Sequence, residues 1–361
     1  ALLDPEGILL ASDTGATRRL AIPPAHQRIA WSSDESLLVD ASDSDLRRTL
    51  RRVTTKGTVT EICSLAGTLV VHDVSRDGRV LIHHGFERWG VRALAPGETA
   101  EHDASVYANS QVQGLSADGE RILLWDGGQG PPGSALLYPT RGGAPLRLAE
   151  GHPLGLSADA SWFLLDRGTA GKPRLVLAPT GAGTPREVSL GHLASPSPFF
   201  VGNRAVGLNA AEPGRPSRSF LVDVEAGRPR PVTPEGSLAI PGTLSAQELL
   251  ARAPDGKLSR HSLTGGPSRP LGWRLPADPF LEAVGPIEDG RFLVVRQGSM
   301  PARLDRVEMA TGARTPWKTL GPPDATGTGH IWTVLVTPDG RGYTYTHGLF
   351  LEDLFLVEGL P

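Results

Sequence analysis

Apolar residues come in short runs along the chain, separated by turn residues, and the pattern is clearest from Val112 to Trp125. There a short apolar run is followed by Ser-Ala-Asp-Gly and then by a second, almost wholly apolar run. An Asp-Gly pair between apolar runs is a strong hairpin signal, because glycine accepts a positive φ and aspartate can bond the backbone two residues further on. We therefore predict two antiparallel strands joined by a tight turn.

The same turn returns along the chain at separations of 41 to 50 residues. Related turns are Ser32–Glu35, Ser75–Gly78, Ser157–Ala160, Ile287–Gly290 and Thr337–Gly340, with degenerate copies at 200–203 and 245–248. A self-similar period of this length that is carried by strands is typical of a β-propeller with one blade per repeat.

The second half of each repeat has its own pattern: an apolar strand, a glycine-bearing turn, and a strand that mixes arginine with aliphatic residues. Ala135–Leu148 and Arg174–Val188 are examples. Together the two halves predict four antiparallel strands per blade. The outermost strand is a sheet edge, and its arginine and proline residues discourage pairing with other edges.

Eight turn landmarks predict one all-β domain over residues 1–361, a propeller of eight blades, with seven as the alternative if a degenerate repeat is not a blade. The repeats lie near 27–65, 70–105, 110–150, 152–191, 196–235, 238–273 and 280–319. Residues 330–361 have the first half of a blade and 1–22 the second half, so we expect both termini to share a composite closing blade. Both ends offer a third strand, so one of these must pair elsewhere.

Composition excludes several partners. The chain has 36 basic and 39 acidic residues, a net charge of −3, which gives no attraction to nucleic acid. No apolar run approaches the ~18–20 residues of a membrane span, so no membrane contact is expected from this segment itself. The single cysteine, Cys63, cannot form an internal disulfide and does not fix the compartment. The first residue is alanine, which suggests a processed protein or part of a longer one.

No catalytic residue and no cofactor is predicted. Gly114-Leu-Ser116 and Gly155-Leu-Ser157 start like a nucleophile elbow, but they lack its second glycine and recur as structural turns. The predicted inner strands, which would line a channel, are nearly devoid of acidic residues. The alternative is a propeller enzyme, a metal-dependent hydrolase, lactonase or lyase with its site in the central channel.

No metal site is predicted either. His83 and His84 are adjacent on a predicted strand and so point to opposite faces. Asp40, Asp43 and Asp45 suggest calcium by charge, but they lack the glycine and distal glutamate of an EF-hand loop. A solvated polar loop is the favoured interpretation.

Ligand contacts are expected from aromatic and basic residues in loops between second and third strands, which converge at one face of the channel. Aromatic and arginine side chains are the usual hot spots of interfaces. The alternative is that Trp89 only fills space between blades. The predicted binding residues are His84, Phe86, Arg88 and Trp89 in one loop, Arg296 in a second, and His347 and Phe350 in a third.

The repeated Ser-x-Asp-Gly turns and their trailing Leu and Gly-Gly positions resemble the WD40-like, or TolB-like, propeller repeats of bacteria. The segment Tyr343–Leu360 resembles a more specific ending, that of propellers in the C-terminal half of bacterial eukaryotic-like serine/threonine kinases. Glu352 and Phe355 stand where that ending usually has serine and tyrosine.

The resemblance implies a non-catalytic sensor or interaction domain of a receptor kinase, extracytoplasmic or periplasmic. The chain itself carries no kinase motif. The implied partner is a protein, a peptide or a small molecule at one face of the channel. A further alternative is a TolB-like envelope scaffold, although the N-terminal α/β domain of TolB has no counterpart in the sequence.

Overall fold

The structure is a computed structural model of the chain. It describes all residues except 5–6, 21–25, 33, 45–46, 128–132, 169–171, 204, 224–226, 246, 277, 279 and 361. The described residues form β-strands and turns without a helix, so none of them forms a helix that could span a membrane.

In chain order the strands are β1 (Leu2–Asp4), β2 (Gly7–Ala11), β3 (Thr17–Leu20), β4 (His26–Trp31), β5 (Leu37–Ser44), β6 (Arg47–Val53), β7 (Val59–Ala66), β8 (Thr68–Val74), β9 (Val80–Leu94), β10 (His102–Asp103), β11 (Ser110–Leu115), β12 (Arg121–Asp126), β13 (Ser134–Pro139), β14 (Leu146–Glu150), β15 (His152–Leu156), β16 (Trp162–Asp166), β17 (Leu175–Pro179), β18 (Arg186–Glu187), β19 (Ala194–Val201), β20 (Ala205–Ala211), β21 (Arg218–Asp223), β22 (Pro229–Pro231), β23 (Leu238–Ser245), β24 (Glu248–Arg252), β25 (Lys257–Ser262), β26 (Arg269–Arg274), β27 (Leu281–Ile287), β28 (Phe292–Gln297), β29 (Ala302–Glu308), β30 (Arg314–Leu320), β31 (Thr328–Val336) and β32 (Tyr343–Val357).

The chain divides into two compact units. Unit 1 contains residues 1–88 and 349–361, and unit 2 contains residues 89–348. Strands β9 and β32 are each divided between the units: residues 80–88 and 349–357 belong to unit 1, and residues 89–94 and 343–348 belong to unit 2.

Unit 2 is a closed ring of six antiparallel sheets. Five of them are consecutive four-stranded meanders, β11–β14, β15–β18, β19–β22, β23–β26 and β27–β30. The sixth has the order β31, β32, β9, β10. The first strands of the sheets contact one another in a cycle, β11, β15, β19, β23, β27, β31 and back to β11. The predicted all-β propeller is confirmed, whereas the total of eight blades stays a prediction.

The Ser-x-Asp-Gly turns join inner strands to second strands as predicted. In the turn between β11 and β12, the Ser116 hydroxyl donates to Asp118 at 2.5 Å. Asp118 also accepts from the Glu120 amide at 3.0 Å, and Gly119 has a φ of 71°. The Thr337 hydroxyl likewise donates to Asp339 at 2.5 Å between β31 and β32. Each of these turns is therefore fixed by hydrogen bonds between residues that lie two positions apart in the sequence.

These turns predict an acid-dependent part of the stability. The Ser116 hydrogen bond, with a smaller effect of the Glu120 amide, holds the pKa of Asp118 below its ordinary value. Because the folded pKa is lowered, the stabilisation is present above the unfolded pKa of about 4 and is lost as the pH falls through the folded value. In thermal unfolding from neutral pH to about pH 3, Ser116→Ala should lose less Tm on acidification than the wild type. Ser12→Ala, whose hydroxyl bonds Thr14 and not a carboxylate, is the control and should behave like the wild type.

Neighbouring sheets of unit 2 approach each other closely and exchange specific bonds. A Cβ added to Gly114 would lie 2.5 Å from the Leu156 Cβ, so only glycine fits there without a shift. Asn209 accepts from the Ala239 amide at 3.1 Å and donates to the Ala239 carbonyl at 2.9 Å. The apolar core lies between adjacent sheets, in clusters shared by two blades each.

The closing segment has a different partner from the one predicted. Strands β31 and β32 share a sheet with β9 and β10, while the N-terminal strands β1–β3 form a sheet of their own. The prediction that 330–361 and 1–22 share a composite blade is therefore wrong. The reason is specific bonding to the segment after β9: the hydroxyls of Tyr343 and Tyr345 both donate to Glu101, at 2.7 and 2.9 Å.

Unit 1 contains three sheets, β1–β3, β4–β7, and a third made of β8 with the unit 1 halves of β9 and β32. Its first strands are neighbours, β1 beside β4 and β4 beside β8. The third sheet is joined to the second by Asp40 of β5, which accepts from the Val71 amide of β8 at 3.2 Å and from the Arg28 amide at 3.0 Å.

Candidate binding site in the channel of unit 2

A cavity of about 400 Å³ lies where the six inner strands of unit 2 meet. Each blade contributes to its wall, for example with Leu115, Leu156, Phe200, Pro241, Val284 and Leu335. The volume is within the range of about 300–1,000 Å³ that is usual for ligand pockets. The propeller fold therefore places a ligand-sized cavity on its axis.

Almost all side chains that line this cavity are apolar. None of the described residues that line it has a titratable side chain, and Gln113 and Thr333 carry its polar side-chain groups. Proton transfer, nucleophilic attack by an activated group and metal ligation all need side chains of another kind. The described side chains of the wall offer mainly apolar contact surface.

Backbone irregularities add polar groups to this wall. The pairing of inner strands shifts register between Val112 and Gly114 in β11, between Pro153 and Gly155 in β15, and between Ala283 and Gly285 in β27. A bulge leaves its extra residue outside the ladder. The residues skipped in these three strands, Gln113, Leu154 and Val284, all line the cavity. Peptide groups outside the ladder are thus present at the wall beside the apolar side chains.

The seven predicted binding residues lie in strands and not in loops, which corrects the predicted placement. His84, Phe86, Arg88 and Trp89 belong to β9, Arg296 to β28, and His347 and Phe350 to β32. None of the seven lines the described cavity. That they bind a ligand stays a prediction.

Two glycines lie inside β9, within or beside the run of residues that was predicted to form a loop. A Cβ on Gly85 would lie 2.5 Å from the Leu351 carbonyl oxygen, and a Cβ on Gly90 would lie 2.7 Å from the His347 ring. Both glycines are therefore required by close packing against β32. The strand continues through them from Val80 to Leu94.

Trp89 and Arg296 meet at Trp332. The Trp89 ring lies 5.5 Å from the Trp332 ring and 5.8 Å from the His330 ring. Arg296 donates to the carbonyls of Ile331, at 2.7 Å, and of Trp332. Trp332 is 52% exposed, so this group is partly accessible to solvent.

His84 and His347, two of the other predicted residues, pack against neighbouring aromatic side chains. His84 lies 5.4 Å from the Phe86 ring and 6.4 Å from the Phe355 ring. His347 packs against Tyr345 at 6.2 Å, and burial lowers its pKa, an effect that nearby Asp103 partly opposes. Burial therefore favours the neutral form of the His347 imidazole.

The groups considered for metal binding are separated. His83 stacks on His72 at 6.0 Å, and its Nε2 lies 3.3 Å from Glu352, whereas His84 faces Phe86 and Phe355. In the part of the chain that the structure describes, no three His, Cys, Asp or Glu residues are grouped as a metal site requires.

The acidic run was interpreted as a solvated loop, and for Asp40 this is wrong. Asp40 is 1% exposed in β5 and binds backbone amides. The Asp43 side chain and Asp45 lie outside the described residues.

Sequence reasoning placed the inner strands Val112–Leu115, Leu154–Leu156 and Trp332–Val336 along the channel but did not predict their residues as ligand contacts. The available signal was the near absence of charge in the inner strands, which was used to argue against an enzyme. It also identifies the wall of an apolar cavity.

Comparison with known proteins shows the fold. No protein-family model and no curated protein matches the sequence. Among solved structures, a TolB protein of Agrobacterium tumefaciens is 15% identical, with a TM-score of 0.52, and the match covers 73% of this chain and 99% of that one. TolB of Acinetobacter baumannii is 12% identical over 87% of this chain and 68% of that one, with a TM-score of 0.43. Oligogalacturonate lyase of Vibrio parahaemolyticus is 10% identical over 71% and 77%, with a TM-score of 0.44.

At these identities the likeness concerns the fold alone, and the Agrobacterium structure is the one that carries it. The chain has a TolB-like β-propeller fold.

Proposed function

We propose that this chain is a non-catalytic binding propeller that takes its ligand in the channel of unit 2. The observation that carries the proposal is the wall itself: six inner strands converge on an apolar cavity whose described lining has no titratable side chain. Such a wall gains affinity from buried apolar area.

The ligand class that fits best is an uncharged, extended peptide segment with apolar side chains. Apolar side chains match Leu115, Leu156 and Phe200 in the wall. Peptide groups of the ligand match those at the bulged residues, which lie outside the ladder of their own strands. A charged segment would lose its hydration there without a partner.

The test narrows the cavity with one side chain. Gly155 lines the cavity, and a Cβ added there would meet the Phe200 ring at 3.6 Å, an ordinary contact. Gly155→Leu is therefore expected to fill the cavity and leave the fold intact. The matched control is Gly181→Leu, because Gly181 has open space around its Cβ position.

Random peptides displayed on phage are selected on the wild-type chain, and a fluorescent copy of the best binder is titrated by anisotropy. Gly155→Leu should weaken binding at least about 10-fold, which corresponds to about 1.4 kcal/mol, while Gly181→Leu should bind like the wild type. Equal affinity of all three proteins, or selection of charged peptides only, would contradict the proposal.

We further propose that the propeller is the extracytoplasmic sensor part of a receptor kinase. The support is the resemblance of Tyr343–Leu360 to the ending of kinase-associated propellers. In the structure residues 343–357 of this segment form β32, and the hydroxyls of Tyr343 and Tyr345 bond Glu101. These bonds stabilise the fold and do not depend on a kinase partner. The gene decides the matter: a kinase domain and a membrane span encoded upstream in the same reading frame would support the proposal, and a start codon with a secretion signal at that place would refute it.

The enzyme alternative makes a separate prediction. A metal-dependent hydrolase, lactonase or lyase would hold an ion tightly in its site. Elemental analysis of the purified chain that finds a stoichiometric metal would favour the enzyme over the binding propeller.

A further inference from the structure

The third sheet of unit 1 ends in an exposed apolar edge. In this unit the sheet has the order β8, β9, β32, so residues 349–357 of β32 form its edge. The side chains there are large and accessible: Leu354 is 66% exposed, Leu356 56% and Phe355 45%. A long apolar edge strand is a template for pairing with another chain.

The last four residues of this edge lack the features that protect the outer strands of the five meander blades of unit 2. The outermost strands of these five blades carry proline, arginine or lysine, as in β22 (Pro-Arg-Pro) and β30 (Arg-Thr-Pro-Trp-Lys-Thr-Leu). Such residues hinder edge-to-edge pairing. Residues 354–357 are Leu-Phe-Leu-Val, without a charge or a proline. These four residues therefore set no charge or proline against pairing with another strand.

We propose that two copies of this chain pair their β32 edges antiparallel across a two-fold axis centred on Leu354. A two-fold axis perpendicular to the sheet sets a residue opposite its own copy, because residues that face each other across strands point to the same side. Centring on Leu354 uses residues 351–357, all within β32. Leu354 then meets Leu354 of the second copy, and Leu351 meets Val357.

Charge favours this arrangement over the parallel one. In the proposed register Glu352 lies opposite Leu356 and Asp353 opposite Phe355, so no like charges face each other. Parallel pairing in register would set Glu352 against Glu352 and Asp353 against Asp353, which is destabilising. The edge is thus self-complementary for a second copy in one direction.

The pairing involves only one strand from each copy, so the surface area that it buries is smaller than the ~1,600 Å² of a standard interface. Self-association is therefore expected to depend on concentration, and a symmetric contact of this kind closes at two copies.

Sedimentation equilibrium of the chain over a wide concentration range tests the proposal with three variants. Leu354→Lys sets two ammonium groups opposite each other and should hold the mass at one chain. Leu356→Lys sets the new ammonium group opposite Glu352 of the other copy and should leave dimerisation intact. Leu146→Lys is the matched control, a 54% exposed leucine on the outer strand β14.

The wild type and Leu146→Lys should approach twice the mass of one chain, a two-fold rise. Thermal unfolding confirms that each variant is folded. A wild type that stays monomeric at all concentrations, a mass beyond two chains, or undiminished association of Leu354→Lys would overturn the proposal. Loss of the dimer in Leu356→Lys would overturn the register.

Discussion

Tyr345→Ala is expected to lower the free energy of unfolding of unit 2 by about 3–5 kcal/mol. Tyr345 is fully buried, and its ring packs in an apolar cluster with Ile331, Val294 and Leu304. Its hydroxyl donates to Glu101 at 2.9 Å, and burial together with this carboxylate raises its pKa above the ordinary range. The substitution removes a large core side chain and one bond of the closing sheet.

Chemical denaturation of the variant measures this loss. Tyr345→Phe is the control, since it keeps the ring and removes the hydroxyl, and it should cost only about 1–2 kcal/mol. Glu101 still accepts from Tyr343 at 2.7 Å and from Arg92 at 3.2 Å in that variant. If Tyr345→Ala were as stable as the wild type, β32 would not close the ring as described.

Asp40→Ala is expected to destabilise unit 1 by about 2–4 kcal/mol, because a buried donor that loses its acceptor costs about 1–3 kcal/mol. Asp40 is 1% exposed and accepts from two backbone amides, those of Arg28 and Val71. The Val71 amide belongs to β8, so the carboxylate joins two sheets. Alanine leaves both donors without this acceptor.

Hydrogen exchange provides the local measurement. The Val71 amide should exchange faster in Asp40→Ala than in the wild type, whereas the Val112 amide, which donates to Thr346 in unit 2, should keep its protection. Asp40→Asn retains one acceptor oxygen, so its Val71 amide should exchange at a rate between those of the wild type and Asp40→Ala. Unchanged exchange at Val71 in Asp40→Ala would show that the carboxylate is dispensable.

The hairpins of the fold were predictable because their determinants are local. Ser116 and Asp118 lie two residues apart, and their hydrogen bond fixes the turn with little help from the rest of the chain. The all-β class and the propeller follow from the repetition of such turns. The outer edges rich in arginine and proline follow in the same way.

The closure of the ring was not predictable from these signals. The bond between Tyr343 and Glu101 joins residues 242 positions apart, and nothing near either residue indicates the other. The pattern of half-blades favoured the N-terminal strands as partners of β31 and β32. Tertiary bonding instead pairs β32 with β9, in a sheet that also contains β10.

The acidic run misled the prediction because an aspartate can be either solvated or buried. In β9, Gly85 and Gly90 allow close packing against β32, a long-range contact that no local pattern indicates. Asp40 looks solvated in an acidic run, yet it is a buried acceptor for backbone amides. The apolar channel itself was foreshadowed by inner strands without acidic residues, although not its individual lining residues.

The most direct test of the central claim asks whether a ligand occupies the channel of unit 2. The photoreactive amino acid p-benzoylphenylalanine is placed at Phe200, which lines the cavity, and in a second protein at Phe280, which is 68% exposed and does not. Each protein is irradiated with a biotin-tagged pool of random peptides. The account predicts that peptide is captured covalently by the protein labelled at position 200 and that Gly155→Leu abolishes this capture. Capture at position 280 alone, or at position 200 regardless of Gly155→Leu, would contradict it.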